Sequence, residues 1–588
     1  MLKYKLKDNP IPTYSFSYLQ DYLKELGIEK VSSFLGKPDI EDEESYNRLK
    51  NIDKIVEALH EGFSTNKRFF LQVDSDADGW TSSAIFYAFF HKLYPKVDIE
   101  WRLHDEKEHG VILNTVPITA DYIIIPDAGS NQVEEQERLS ETGRVVLIID
   151  HHKMETQKEI ENVIIVNNQD SPEFENKSLS GAGMVYKVIQ AYNLKYRDEF
   201  PLIYQDYADL AAVGIVSDMM DTRNLDNNYI IYKGLKNIKN PFLQAMLVKQ
   251  EYSVSSISEP TKIDIAFYIA PLINGTIRYG SAEEKDSIFN AFITYDPQEV
   301  IETEYGGEAR IESFFQYYAR LASNIRGRQN RDKLKCMNFL KERVEEDSLA
   351  DEQLLIVKVS KDDPITIPKT ITGLVAMELL KEYKKPTLVL RPRNIDGKRV
   401  WAGSGRGKSN GHFKSLFKML RESELCNYVE GHDMAHGVEI PEENLPFVIE
   451  FANEYLKDIE FDIEEIEVDH IFTTASVNSE IIKAFGKPVH IYGNGIPQPK
   501  FAFEVNVAKD AIRIMGAKKN TVKFTIAGVD FLKFHAAQLV EFIENTNAEI
   551  IKFKLVGRAS INTWMDRESP QIMIDAMEYE AMELQDLF

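Results

Sequence analysis

The sequence predicts an α/β protein of several domains, with a doubly wound parallel sheet in its first half and a small β-barrel at its end. Short unbroken apolar runs alternate with helical stretches from residue 68 to 240. The alternation resumes near residue 354, and after residue 488 it gives way to short β-like runs separated by turns. A chain of 588 residues exceeds one ordinary domain, and 43% hydrophobic residues suffice for several cores.

Residues 1–66 read as a helical lead-in, with an amphipathic piece at YSFSYLQDYLKELG, an acidic break at DIEDEES and a second helical stretch at NRLKNIDKIVEALHEGF. Residues 67–240 carry RFFLQV, VDIEW, YIIIP, VVLII and VIIV. Most of these runs are apolar at consecutive rather than alternate positions, as strands buried on both faces require. Residues 241–350 have helical period and hold the basic stretch RGRQNRDKLK, with Arg326, Arg328, Arg331, Lys333 and Lys335, which predicts a long connecting helix. Residues 351–487 repeat the α/β pattern through LLIVKV, TGLVAMELLKEY and PTLVLRPR. Residues 488–588, with FAFEVNV, IRIM, VKFTIAG, FLKF, IIKFKLVG and QIMIDAMEY, have the strand spacing of an OB-fold-like barrel.

The net charge of −25 opposes nonspecific coating of nucleic acid, because phosphate binding is driven by Lys and Arg. The opposition eases if part of the acidity surrounds cations and basic residues cluster locally. Two cysteines, Cys336 and Cys426, make no disulfide framework, so a reducing cytoplasm is expected. The first residues hold no apolar run of signal-peptide type and no window approaches the ~20 apolar residues of a membrane span, so a soluble chain is expected.

The acidic residues fall where strands end. FFLQV runs into Asp74, Asp76 and Asp78, YIIIP into Asp127, and VVLII into Asp150, His151 and His152. In an open parallel sheet such positions converge on one crevice. The segment DLAAVGIVSDMMDTRN adds Asp218 and Asp221. So many carboxylates in one crevice repel one another unless cations sit among them, and oxygen-rich ligands with an imidazole suit Mn²⁺ or Mg²⁺. Two such ions about 4 Å apart are an arrangement for phosphodiester hydrolysis. DxDxDG also opens an EF-hand, but the twelfth position from Asp74 is Ile85 and a strand precedes the loop. Taken alone, Asp127 reads as a helix cap and the two histidines as surface residues; their joint occurrence after three successive strands argues against coincidence.

The segments QVDSDADGWTSSAIF, IIIPDAGS, LIIDHHK, IVNNQD, LSGAGMVYKV and DLAAVGIVSDMMDTRN occur in the order of the DHH phosphoesterases, and the set resembles their RecJ branch of single-stranded-DNA exonucleases. The resemblance implies a DHH domain followed by a DHH-associated substrate domain. It implies Asp76, Asp78, Asp127, His151 and Asp218 as metal ligands, Asp127 bridging, with Asp74 and His152 beside them and the SGAG run as a helix start near the site.

The second half resembles the family at WAGSGRG and EGHDMAHG. These imply a glycine-rich phosphate loop with Ser404 and Arg406, and His432 near the scissile phosphate. Serine, glycine-freed amides and an arginine fork are groups a phosphate needs. Glu430 and His436 depart from the pattern, standing where the family has glycine and alanine. His432 and His436, four apart, also read as zinc ligands on one helix face, but Asp433 stands where a metalloprotease needs glutamate. In the loop WRLHDEKEHG, His104 occupies the family's arginine position, with Arg102 or Lys107 as substitutes. In the C-terminal region Lys518, Lys519, Lys523, Phe524, Arg558 and Trp564 are candidates for gripping a single strand.

These features together predict a 5′-to-3′ single-stranded-DNA exonuclease that uses two divalent ions and releases mononucleotides in DNA repair, recombination or replication. It is expected to be a monomer that receives strands from a single-strand-binding protein or helicase. The alternatives are a DHH phosphodiesterase for cyclic dinucleotides or short oligonucleotides, and a non-catalytic replication scaffold. The first lacks membrane and sensory segments to support it, and the second fits poorly with a complete ligand set.

Overall fold

The computed structural model describes residues 2–582 except 12–16, 106–107, 156–157, 298–299, 306–307, 396, 408–412, 414, 460, 462–464 and 565–566. The chain divides into two compact units, Met1–Ser323 with Glu467–Phe588, and Asn324–Ile466.

In the first unit the five apolar runs form five parallel strands. Their spatial order is Ile99–Leu103, Phe69–Val73, Tyr122–Pro126, Val145–Asp150 and Val163–Asn167. Phe69–Val73 and Tyr122–Pro126 are buried at every position, which is why their sequences do not alternate. From Phe69–Val73 the chain moves outward to Ile99–Leu103, then returns to Tyr122–Pro126 on the opposite side. The strand order therefore reverses between Phe69–Val73 and Tyr122–Pro126, and a crevice opens at their carboxyl ends. The helices Ala77–Leu93 and Ala208–Ser217 are buried almost all round, and Ile52–Ser64 stacks Phe63 on Phe69 and Phe90 at 4.0 and 4.5 Å.

The C-terminal strands form one seven-stranded sheet, and its first strand, His470–Thr473, lies well before residue 488, where the barrel was expected to begin. HIFT is too short and too polar at its ends to stand out as a strand. The first part of the expected lead-in also has another role. Tyr18–Glu25 and Val31–Leu35 place Tyr22, Leu23 and Phe34 in the core of this C-terminal sheet with Phe485 and Phe501. The Tyr22 ring meets Phe485 edge-on at 5.8 Å, and its hydroxyl donates to the Pro497 carbonyl at 2.6 Å. A helix of eight residues is unstable alone, so its apolar stripe needs such a cover.

Between residues 241 and 350 helices dominate, but a hairpin, Val300–Tyr305 with Glu308–Ser313, interrupts them before the long helix Phe314–Glu346. The second unit contains a five-stranded sheet, ordered Tyr428–His432, Ala435–Pro441, Lys398–Arg406, Thr387–Ile395 and Leu355–Lys358.

Within the first unit the C-terminal region clasps the segment that follows Asp218. The Thr222 amide and hydroxyl donate to the Asn494 carbonyl at 2.9 and 2.7 Å, and the Asn494 side chain donates to the Met219 carbonyl. Gly495, at φ +83°, lies so close that a Cβ there would sit 2.2 Å from Asp221 Oδ1.

Candidate metal centre and nucleic-acid-binding residues

Each acidic side chain at the crevice is fixed by its backbone setting. Asp76 caps the helix Ala77–Leu93 by accepting the Gly79 amide at 3.0 Å. Asp78, two residues on, accepts the Ser180 hydroxyl and the Gly181 and Ala182 amides at 2.9, 2.6 and 3.0 Å, so the SGAG helix start holds it directly. Asp74 accepts the Gly110 amide at 3.0 Å and lies 2.7 Å from His109 Nδ1. Asp127 leaves its strand at φ +63°, a left-handed conformation that Asp tolerates better than most residues. Asp150 accepts the amides of His151 and Ser130 at 2.7 and 3.1 Å and lies 2.7 Å from His152 Nδ1.

These settings bring Asp74, Asp76, Asp78, Asp127, His151, His152 and Asp218 together. Three interlocking groups have ligand atoms within 4.8 Å of one another: Asp74, Asp76 and Asp127; Asp78, His151 and Asp218; Asp127, His151 and His152. Asp127 and His151 each belong to two groups. His151 Nε2 is 3.2 Å from Asp127 Oδ1, 3.5 Å from Asp218 Oδ2 and 4.0 Å from Asp78 Oδ2. Glycines make this closeness possible: a Cβ at Gly79, Gly181 or Gly214 would lie 2.6, 2.3 or 2.2 Å from atoms of Asp74, Asp127 or Asp78.

Burial, then the neighbouring carboxylate of Asp78, pushes Asp76 and Asp127 above the usual carboxylate range and Asp218 up to about 8. Asp127 Oδ1 is buried without a hydrogen-bond donor. A buried acceptor lacking a donor, within a set of mutually repelling carboxylates, is complementary to a divalent cation, and the oxygen-rich donor set fits Mn²⁺ or Mg²⁺. Burial holds His151 below the ordinary histidine value, which keeps its ring neutral as a ligand must be. Burial would raise Asp150, but the hydrogen bond and charge of His152, with Ser130 and His151, together outweigh it and hold Asp150 below the usual range. The same bond lifts His152 to about 9.

Asp221 is not part of this set, because it is paired with Arg223 at 2.6 Å. Asp150 and His109 belong beside the site, although the sequence placed Asp150 only at its strand end and assigned neither a role. Asp150 stands in the same motif as the two histidines, and His109 closes the loop WRLHDEKEHG. His104, expected to stand in for a phosphate-binding arginine, is instead buried, with Nε2 3.3 Å from Gln72 Nε2. Burial lowers its pKa, so it offers no cation. Arg102 lies 3.7 Å from Asp105, and Lys107 lies outside the described residues.

In the second unit, WAGSGRG is not a loop. Ser404 and Arg406 lie in the strand Lys398–Arg406, flanked by strands on both sides, and Gly403 allows the approach of the Val389 carbonyl, 1.9 Å from where a Cβ would be. The Ser404 hydroxyl is 2.8 Å from the Thr372 hydroxyl, and Gly373 leaves room for the Arg406 guanidinium, 2.2 Å from where its Cβ would be. His432 and His436 share no helix. They lie on the two strands of a hairpin, with His432 exposed and His436 buried opposite Gly431. Arg326 and Arg328 are half-buried on the long helix, where Arg326 donates to Gln329.

In the C-terminal sheet Lys518 and Lys519 occupy an exposed turn. Arg558 is held by Asp575 through two bonds of 2.9 and 2.8 Å, and Lys523 by Asp530 at 2.7 Å. Phe524 is core, stacked 5.1 Å from both Phe531 and Phe553. The Trp564 side chain lies outside the described residues.

A crevice of shared carboxylates and one neutral imidazole, at the switch point of a parallel sheet, defines a divalent-metal phosphoesterase architecture. Residues 68–215 match the DHH family, N-terminal domain, and residues 468–576 match the RecJ OB domain. A putative prophage-derived single-strand DNA-specific exonuclease of Bacillus subtilis, YorK, is 34% identical over 571 residues, covering 96% of each chain. The single-stranded-DNA-specific exonuclease RecJ of the same organism is 24% identical, covering 92% of this chain and 65% of its own. The crystal structure of Thermus thermophilus RecJ with Mn²⁺ has the same fold, with a TM-score of 0.71 at 19% identity, over 98% of this chain and 79% of that one. This chain belongs to the RecJ-like branch of the DHH family.

Proposed function

We propose that this protein is a single-strand-DNA-specific exonuclease that hydrolyses phosphodiester bonds from the 5′ end and releases mononucleotides. Asp127 carries the reading, because one buried carboxylate is shared between two ligand groups and keeps an oxygen without a donor. Asp76, Asp78, Asp127, His151 and Asp218, with Asp74 at the edge, would hold two divalent ions. Bound there, such ions neutralise phosphodiester charge and lower the pKa of a water.

The rest is the work of the chain itself. Asp150 raises the His152 pKa and orients its ring, so His152 offers a hydrogen-bond donor to a phosphate oxygen at the crevice. Ser404, Arg406 and the exposed His432 offer hydroxyl, guanidinium and imidazole groups to a strand phosphate, and Lys518 and Lys519 add charge on the C-terminal sheet. The net charge of −25 keeps nonspecific affinity low, which favours delivery of strands by a single-strand-binding protein or helicase. No helix among the described residues is long and apolar enough to cross a membrane, and the reading places a monomer in the cytoplasm.

The test is hydrolysis of end-labelled single-stranded DNA, with and without a 5′ phosphate, in Mn²⁺ and in EDTA, beside duplex DNA and a cyclic dinucleotide. Metal-dependent release of mononucleotides from the 5′ end of single strands is expected. Cleavage of the cyclic dinucleotide alone, or of nothing, overturns the proposal.

A further inference from the structure

Away from the metal centre, the first unit holds a half-open cavity of about 460 Å³ between the Phe34–Pro38 segment, the helix Leu225–Lys236 and the segment Glu259–Lys262, with His490 at its edge. None of the metal-centre residues lines it. Its wall contains Lys262, which is 3% exposed. Among the described residues no carboxylate lies within ion-pairing distance of this ammonium, and its hydrogen bond is a long one, 3.5 Å to Asn228 Oδ1. An uncompensated buried charge is expensive, and proteins rarely keep one unless it is countered in some state. Burial also drives Lys262 down to about 7. A buried anion beside it would restore the full charge.

The surroundings set the class of ligand. Ile231, Leu235 and the Tyr232 ring give the cavity an apolar side, while Lys37 and Lys236 stand exposed at its edge against a single carboxylate, Glu259. In a chain of net charge −25, this concentration of cations is local and runs against the global balance. A concave site with an apolar wall and one buried charge is the usual form of a small-molecule pocket.

We propose that this cavity binds a small organic anion, with a carboxylate or phosphate-ester head against Lys262 and Asn228 and an aromatic or aliphatic body along Tyr232 and Leu235. The cavity neighbours the C-terminal clasp, since a Cβ at Gly493 would lie 3.2 Å from Lys262 Cδ. The proposal does not depend on the nuclease reading.

The test uses the full chain in EDTA, so that the metal centre cannot take the head group, with ligand-observed NMR of benzoate, phenyl phosphate, inorganic phosphate and neutral benzamide. Benzoate or phenyl phosphate should bind, inorganic phosphate and benzamide at least tenfold more weakly, and Lys262→Met should weaken anion binding at least about tenfold. Preference for one head group identifies carboxylate or phosphate ester as the natural chemistry. Lys236→Glu, at an exposed position, supplies an independent check and should weaken binding severalfold. Equal binding of benzamide and benzoate, unchanged affinity in the folded variants, or no binding of either anion to the wild type at millimolar concentration refutes the site.

Discussion

Gly181→Ala tests the metal centre through shape, with no charge altered. The added Cβ would lie 2.3 Å from Asp127 Oδ1 and 2.5 Å from its Cγ, against an ordinary contact near 3.4 Å, so the carboxylate must retreat by about 1 Å. It has little freedom to do so, because Asp127 already sits in a left-handed conformation and its amide is tied to the Ile149 carbonyl at 2.8 Å. Gly181 is the first residue of the helix Gly181–Lys195, where alanine gains less than the roughly 1 kcal/mol of a helix interior, so an overpacking cost of about 1–3 kcal/mol is only partly offset. The expected protein is folded and modestly less stable than wild type. A misplacement of about 1 Å at a reacting site costs on the order of 100-fold in rate. Circular dichroism melting, Mn²⁺ calorimetry and single-strand hydrolysis separate these effects. A variant with wild-type melting, Mn²⁺ affinity and activity refutes the claim that Asp127 is a ligand held against that glycine.

Asp127→Asn, which suits the left-handed backbone, should melt no lower than wild type in EDTA because it removes one charge from a repelling set. It should lose most of the Mn²⁺-dependent rise in melting temperature and at least about 100-fold in hydrolysis. Lys262 titrates near 7 when folded and 10.5 when unfolded, so between those values the unfolded chain holds more protons and wild-type stability climbs with pH. Denaturant melts should show that climb removed in Lys262→Met, with the variant's advantage greatest below about pH 7. Thr222→Val removes the hydroxyl bond to the Asn494 carbonyl and should cost about 1 kcal/mol in denaturant melts, while Mn²⁺ calorimetry should show weaker binding through the loosened segment after Asp218.

The parallel sheet was legible because buried parallel strands leave a direct mark: FFLQV, YIIIP and VVLII are apolar at nearly every position rather than at alternate ones, and an acidic residue follows each run at the crevice. What escaped was what depends on distant partners. Asp150 looks like Asp127 in sequence, yet amides and His152 saturate one while the other keeps an unbonded oxygen. WAGSGRG has the composition of a loop, but its glycines serve strand packing, as Gly403 against Val389 shows. EGHDMAHG has helical spacing between its histidines, yet it folds as a hairpin because Gly431, at φ +129°, breaks any helix there. The helix Tyr18–Glu25 carries an apolar stripe that does not reveal which core it covers, more than 400 residues away in sequence.

The division of labour between charge and fold resolves the conflict between an acidic chain and an anionic substrate. The carboxylates that matter most are gathered in one buried crevice, where they repel one another and therefore attract cations. Several basic residues that looked available are already neutralised, Arg558 by Asp575 and Lys523 by Asp530, so these two add little to binding through counterion release. On the proposed function, the exposed Lys518–Lys519 turn is one source of positive charge on the C-terminal sheet. On that proposal, a strand would be bound weakly along its length and more strongly at its reacting phosphate once the ions are in place. That balance lets an exonuclease advance after each cut without being trapped by its own substrate.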